Sequence, residues 1–126
     1  MKTIKFTVPI YGWDMRLSQI ESKHDVLEYK NVVKKIGINA LECDVISHCE
    51  DIADGCTGGA RCFSNGGLKM TYIVLNIVRD ENELRGTISH EIYHASCAIM
   101  DNAGVKDEEA QAYLIGYITR EIYKRL

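Results

Sequence analysis

The sequence of 126 residues predicts an α+β domain, a short sheet followed by two helices, and three features carry that expectation. The run Met70 to Val78 is apolar on both faces over much of its length, as a central, covered strand should be. Just before it, Ser64-Asn65-Gly66-Gly67 is a strong turn signal, so Ala60 to Phe63 and Leu68 to Val78 should form a hairpin. After the hairpin, apolar residues recur at helical spacing in two successive runs.

From the N-terminus, Phe6, Val8 and Ile10 alternate within Lys5 to Ile10, the period of a half-buried strand. Gly12 permits a kink, and Trp13, Met15 and Leu17 extend the alternation, so Trp13 to Ile20 is expected to continue the strand. Pro9 then marks an edge or a bulge. Val26, Leu27, Tyr29, Val33 and Ile36 follow helical spacing, with Gly37 as a C-terminal stop. Leu41, Val45, Cys49 and Ile52 suggest a second helix over Asn39 to Ala53, although Val45, Ser47 and Cys49 also suit a short strand. Asp80, or Asn82, supplies an N-cap for the next helix, and Glu81 and Glu83 suit its positive end. Its apolar stripe is Leu84, Ile88, Ile92, Ala95 and Ile99, and it should end near Asn102 to Gly104. A last helix, from around Asp107, carries Ala110, Leu114, Tyr117, Ile118 and Ile122.

Composition narrows the function classes. A single domain spanning 1–126 can bury roughly two-thirds of its unfolded surface, and a hydrophobic fraction of 46% with 26% charged residues is that of a globular chain. The formal charge of -3, without a long single-sign run, leaves no nucleic-acid footprint. The longest apolar stretches fall short of the roughly 20 residues of a membrane span. Met1 to Ile10 does not read as a signal peptide, so cytoplasmic residence is expected. The odd cysteine count favours reduced thiols. Cys43, His48, Cys49, Cys56 and Cys62 have the chemistry of a zinc site, which would be a second one beside the motif described below, but their spacing fits no closed site, and small, partly buried residues are the plainer reading.

The chemistry-bearing motif is His90-Glu91-Ile92-Tyr93-His94. Residues four apart on a helix share a face about 6 Å apart, so the two imidazoles can meet one zinc ion. Glu91 falls beside them, where a carboxylate can take the proton of a water whose pKa zinc lowers to about 7, and return it to the leaving amine. Alternatively, two histidines share a polar face and Glu91 is a solvated charge. The pattern fixes only three residue types; its position within an amphipathic helix after a covered strand makes it more specific.

A catalytic zinc needs a third protein ligand and an open position. The best source is the start of the last helix, Asp107-Glu108-Glu109-Ala110-Gln111-Ala112-Tyr113, which a helical hairpin would return towards His94. Glu109 is the expected ligand and Glu108 the reserve, although acidic residues also suit a first helical turn for its dipole alone. Asp101 shares a face with His94 and could orient a histidine. Cys97 could approach the metal, but a buried structural thiol is the simpler reading.

His90-Glu91-Ile92-Tyr93-His94, followed by Glu109 in Glu108-Glu109-Ala110-Gln111-Ala112-Tyr113, resembles the gluzincin branch of the zincin metallopeptidases. It is especially similar to minimal single-domain versions and to small phage or mobile-element proteins with that helix pair. The resemblance covers about Gly58 to Leu126. It implies a small twisted sheet packed on the active-site helix and the glutamate-bearing helix, with a peptide substrate paired along an edge strand around Ala60 to Ser64. Thermolysin-like members carry an Asp four residues after the glutamate ligand. This chain has Tyr113 there, so support for a histidine would fall to its hydroxyl or to Asp101.

The leading expectation is a zinc metallopeptidase acting on a peptide or protein substrate, with Glu91 as base and His90, His94 and Glu109 as ligands. Competing readings are a zinc-binding, non-catalytic interaction or regulatory module, and a metal-free helical hairpin domain. A partner protein that builds specificity, or autoinhibition by Asp14 or Cys62, is compatible with so small an enzyme.

Overall fold

A computed structural model describes residues 2–20, 25, 60–76 and 80–126. Apart from Asp25, the helices expected over 24–36 and 39–53, and the candidate second zinc site at Cys43, His48, Cys49 and Cys56, lie outside the described residues.

Four strands form a mixed sheet: β1 (Lys2–Val8), β2 (Trp13–Ile20), β3 (Ala60–Asn65) and β4 (Met70–Asn76). Their order is β1-β2-β4-β3. β1 and β2 are antiparallel, β2 and β4 parallel, and β3 and β4 antiparallel. Trp13 to Ile20 is therefore not a continuation of the first strand but its return. Pro9 ends β1, and Gly12, at φ 58°, takes the left-handed conformation that closes the turn, its N–H donating to Pro9 O at 3.4 Å. Ile4, Phe6 and Val8 keep the alternation buried, whereas Ile10 falls in that turn and is 89% exposed.

The expected β3–β4 hairpin forms, but its turn lies at 66–69, because Ser64 and Asn65 still pair with Thr71 and Met70 in the sheet. Asn65 Oδ1 accepts from the Leu68 N–H at 3.0 Å, and Lys69 adopts φ 50° to lead into β4. A Cβ on Gly66 would stand 2.5 Å from Asn102 Oδ1, so the absence of a side chain lets this turn lie against the end of the following helix. Both faces of β4 are buried: Thr71, Ile73 and Leu75 on one side, Met70, Tyr72 and Val74 on the other.

Two helices follow, α1 (Glu81–Ala103) and α2 (Glu108–Arg125). Asp80 caps α1 by accepting from the N–H groups of Asn82 and Glu83 at 2.8 and 3.2 Å. Gly104, at φ 68°, ends it. Asp107 caps α2 through the Ala110 N–H at 3.0 Å. Ile88, Ile92, Ala95 and Ile99 of α1 and Leu114, Ile118 and Ile122 of α2 bury the predicted stripes against Ile4, Phe6, Trp13, Met15, Leu17, Ile73 and Leu75. α1 sits on the β3 side of the sheet and α2 contacts β1. None of the helices among the described residues is long and apolar enough to cross a membrane.

Ile118→Ala should remove about 2–5 kcal/mol of stability, because its side chain is fully buried between α2 and the sheet. Asp80→Ala, which frees two N–H groups that solvent can reach, should remove only about 1 kcal/mol. Urea unfolding with an unchanged slope reads both; equal losses would contradict this division between core and cap.

Candidate metal centre

The helical period that buries Ile88, Ile92, Ala95 and Ile99 fixes where the other positions of α1 point. His90, His94 and Ala98 fall on the flank towards β3, and Glu91 lies between that flank and the buried stripe. Together with Cys62, Phe63 and Ser64 of β3 they line a cleft of about 470 Å³. Pairing of Cys62 with Ile73 and of Ser64 with Thr71 turns Cys62 and Ser64 to the sheet face that carries α1.

The two histidine rings are exposed and meet edge to face, their centroids 4.8 Å apart and their planes 67° apart. Nε2 of His90 and Nε2 of His94 stand 3.1 Å apart. An ion at the usual zinc–nitrogen distance of about 2.0–2.1 Å from both would subtend an angle of about 100°, close to tetrahedral. The donor chemistry and the convergence of the pair thus fit two of zinc's ligands. The same separation lets one neutral imidazole donate to the other when no metal is present.

Glu91, by contrast, is 5% exposed. Its side chain enters the cleft from the sheet side, and its charge is felt by Cys62. Burial, then the negative charge of Glu91, push the Cys62 thiol up to about 12 against a lowering hydrogen bond from Ser64. On the solvent side of α1, the Tyr93 phenol is pushed up from its ordinary range, first by its hydrogen bond to Cys97. Tyr93 does not line the cleft; its ring centroid is 6.1 Å from that of His94.

The structure does not bring Glu109 to the histidine pair. Gln111 Nε2 donates to Ser96 Oγ at 3.0 Å and to Cys97 Sγ at 3.3 Å, so the start of α2 meets α1 past His94 and on the flank away from β3. Glu108 and Glu109 are exposed there, and among the described residues no group of three or more metal-ligating side chains is assembled. Neither of the residues expected to support a histidine stands at the pair either. Tyr113 lines a separate cleft with Pro9, Ile10 and Tyr11, and Asp101 makes no hydrogen bond to either histidine among the described residues.

Ser64, expected at the end of the edge strand and in the turn signal but given no role there, lines the cleft from β3. Its signal is the alternation of Cys62 and Ser64 on one face of a strand whose partner is already identified. Neither protein-family models, nor curated proteins, nor solved structures match this chain. The functional reading therefore rests on the residues themselves.

In the metal-free protein, Cys62 should alkylate slowly at about pH 8.5, where an ordinary thiol is half ionised. The reaction should accelerate as pH rises towards about 12. Glu91→Gln removes the second of the two raising causes and should move the pH–rate curve down. Timed iodoacetamide labelling with peptide mapping measures this, and alkylation of Cys62 as fast as that of a solvent-exposed thiol peptide would contradict the burial.

Proposed function

We propose that the protein is a zinc-dependent peptide hydrolase of the zincin type, with His90 and His94 as zinc ligands and Glu91 as general base. The observation that supports this most is the convergence of the two Nε2 atoms to 3.1 Å beside a nearly buried carboxylate, in a cleft walled by a β-strand. A structural metal site needs no carboxylate held next to its open position.

Zinc bound by the pair would lower the pKa of a coordinated water to about 7 and polarise the scissile carbonyl. Glu91 would accept a proton from the attacking water as its oxygen adds to the carbonyl carbon. The same carboxylate would then deliver that proton to the amine nitrogen as the carbon–nitrogen bond breaks. β3 stands last in the described sheet order, and an extended peptide alongside its outer edge would pass the cleft by backbone pairing. Its alternate side chains would then meet Cys62 and Ser64.

Glu109 remains the proposed third ligand on the strength of the sequence, with Glu108 in reserve. Coordination by Glu109 requires the first turn of α2 to shift across Cys97 towards His94. The site lies at the surface of a small domain, so a partner protein or the chain's own residues would control access to it.

The test is zinc content by elemental analysis, with peptide-library cleavage, for the parent, Glu91→Gln and Glu109→Ala. One zinc per chain in the parent and in Glu91→Gln, depleted in Glu109→Ala, with cleavage by the parent alone, is the expected result. Zinc retained by Glu109→Ala would remove that residue from the ligand set. Zinc without cleavage would favour a non-catalytic zinc module, and no zinc after reconstitution would overturn the proposal.

A further inference from the structure

On the sheet face that meets α1, an indole N–H and two hydroxyls stand in a row across three strands. Trp13 Nε1–H on β2 donates to Thr71 Oγ1 on β4 at 2.8 Å, and Thr71 Oγ1 lies 2.8 Å from Ser64 Oγ on β3. An indole nitrogen can only donate, so Thr71 Oγ1 is the acceptor in the first bond. Thr71 is 0% exposed, and these are its only side-chain hydrogen bonds among the described residues. A buried hydroxyl proton without an acceptor is costly, so the Thr71 proton goes to Ser64 Oγ.

That fixes the direction of the whole row, from Trp13 through Thr71 to Ser64. The Ser64 proton is then unavailable to Thr71 and must turn elsewhere. Its neighbour in the cleft is the sulfur of Cys62, two residues away on the same face of β3. Sulfur is a weak acceptor, easily replaced by a carbonyl oxygen. Hydrogen bonds in series polarise one another, so the last donor of the row is strengthened by the two before it.

We infer that Ser64 is the donor this cleft presents to the substrate carbonyl oxygen, strengthening its bond as negative charge develops there, with Thr71 and Trp13 as positioning residues that aim its proton. The inference rests on the hydrolase reading above and supplies the oxygen-stabilising group opposite Glu91 and the histidines. Pre-aimed donors of this kind act without reorganisation during the reaction, and loss of one lowers kcat by about 10²–10³-fold.

Steady-state kinetics on zinc-loaded parent, Ser64→Ala, Ser64→Thr and Thr71→Val, with thermal unfolding and zinc content measured alongside, tests it. Ser64→Ala should lose about 10²–10³-fold in kcat with little change in KM or zinc content, and should melt at a lower temperature because the Thr71 proton loses its acceptor. Ser64→Thr should restore most of the rate, because it restores the hydroxyl on the same strand face. Thr71→Val should fall between them and add little to Ser64→Ala in the double variant. A parent-like kcat in Ser64→Ala, or a raised KM with kcat unchanged, would overturn the inference while leaving the hydrolase reading intact. A zinc-loaded parent that cleaves nothing would overturn the hydrolase reading first, and this inference with it.

Discussion

The seating of α1 on the sheet is the constraint from which the candidate site follows. Four aliphatic side chains, Ile88, Ile92, Ala95 and Ile99, must face the core, and with about 3.6 residues per turn this leaves no freedom in the direction of their neighbours. Glu91 is carried to the boundary between helix and sheet, and His90 and His94 to the rim above it. A rotation of the helix that exposed Glu91 would also expose the stripe. The aliphatic core thus holds a carboxylate in a position that is costly to occupy, and it does so next to two side chains suited to binding a cation.

The hairpin completes the arrangement from the other side. β4 is buried on both faces, so its register is strongly specified, and it transmits that register to β3. Pairing Cys62 with Ile73 and Ser64 with Thr71 turns a thiol and a hydroxyl towards α1, where aliphatic residues would otherwise close the gap. Gly66 lets the turn approach Asn102, so the hairpin is referenced to the far end of the same helix. The buried hydroxyl of Thr71 lies in a connected row with Trp13 and Ser64, in keeping with the high cost of leaving buried hydroxyls unpaired.

Much of this was legible in the sequence. The cap at Asp80, the helix limits near Gly104 and Asp107, the stripes of both helices and the covered strand at Met70 depend on local chemistry, and local chemistry is written in consecutive residues. The reversal at Gly12 was not, because alternation continues through Trp13, Met15 and Leu17 whether the chain goes straight on or folds back. Spacing placed His90, Glu91 and His94 on one helix flank, but it could not fix the relative level of two helices. That level is set by Gln111 reaching Ser96 and Cys97, a contact between residues fifteen and fourteen positions apart, and it leaves Glu109 out of the cleft. The place of Ser64 in the cleft was hidden for a similar reason: it depends on the register of β3 against β4, which pairs Ser64 with Thr71.

A zinc site on the histidine pair, opening on the β3 cleft, has a spectroscopic signature. X-ray absorption at the zinc edge of the reconstituted protein tests it most directly. Zinc on the pair gives two imidazole nitrogens at about 2.0–2.1 Å with oxygen completing the shell. A shell dominated by sulfur at about 2.3 Å would contradict it, because the metal would then sit on cysteines rather than between His90 and His94.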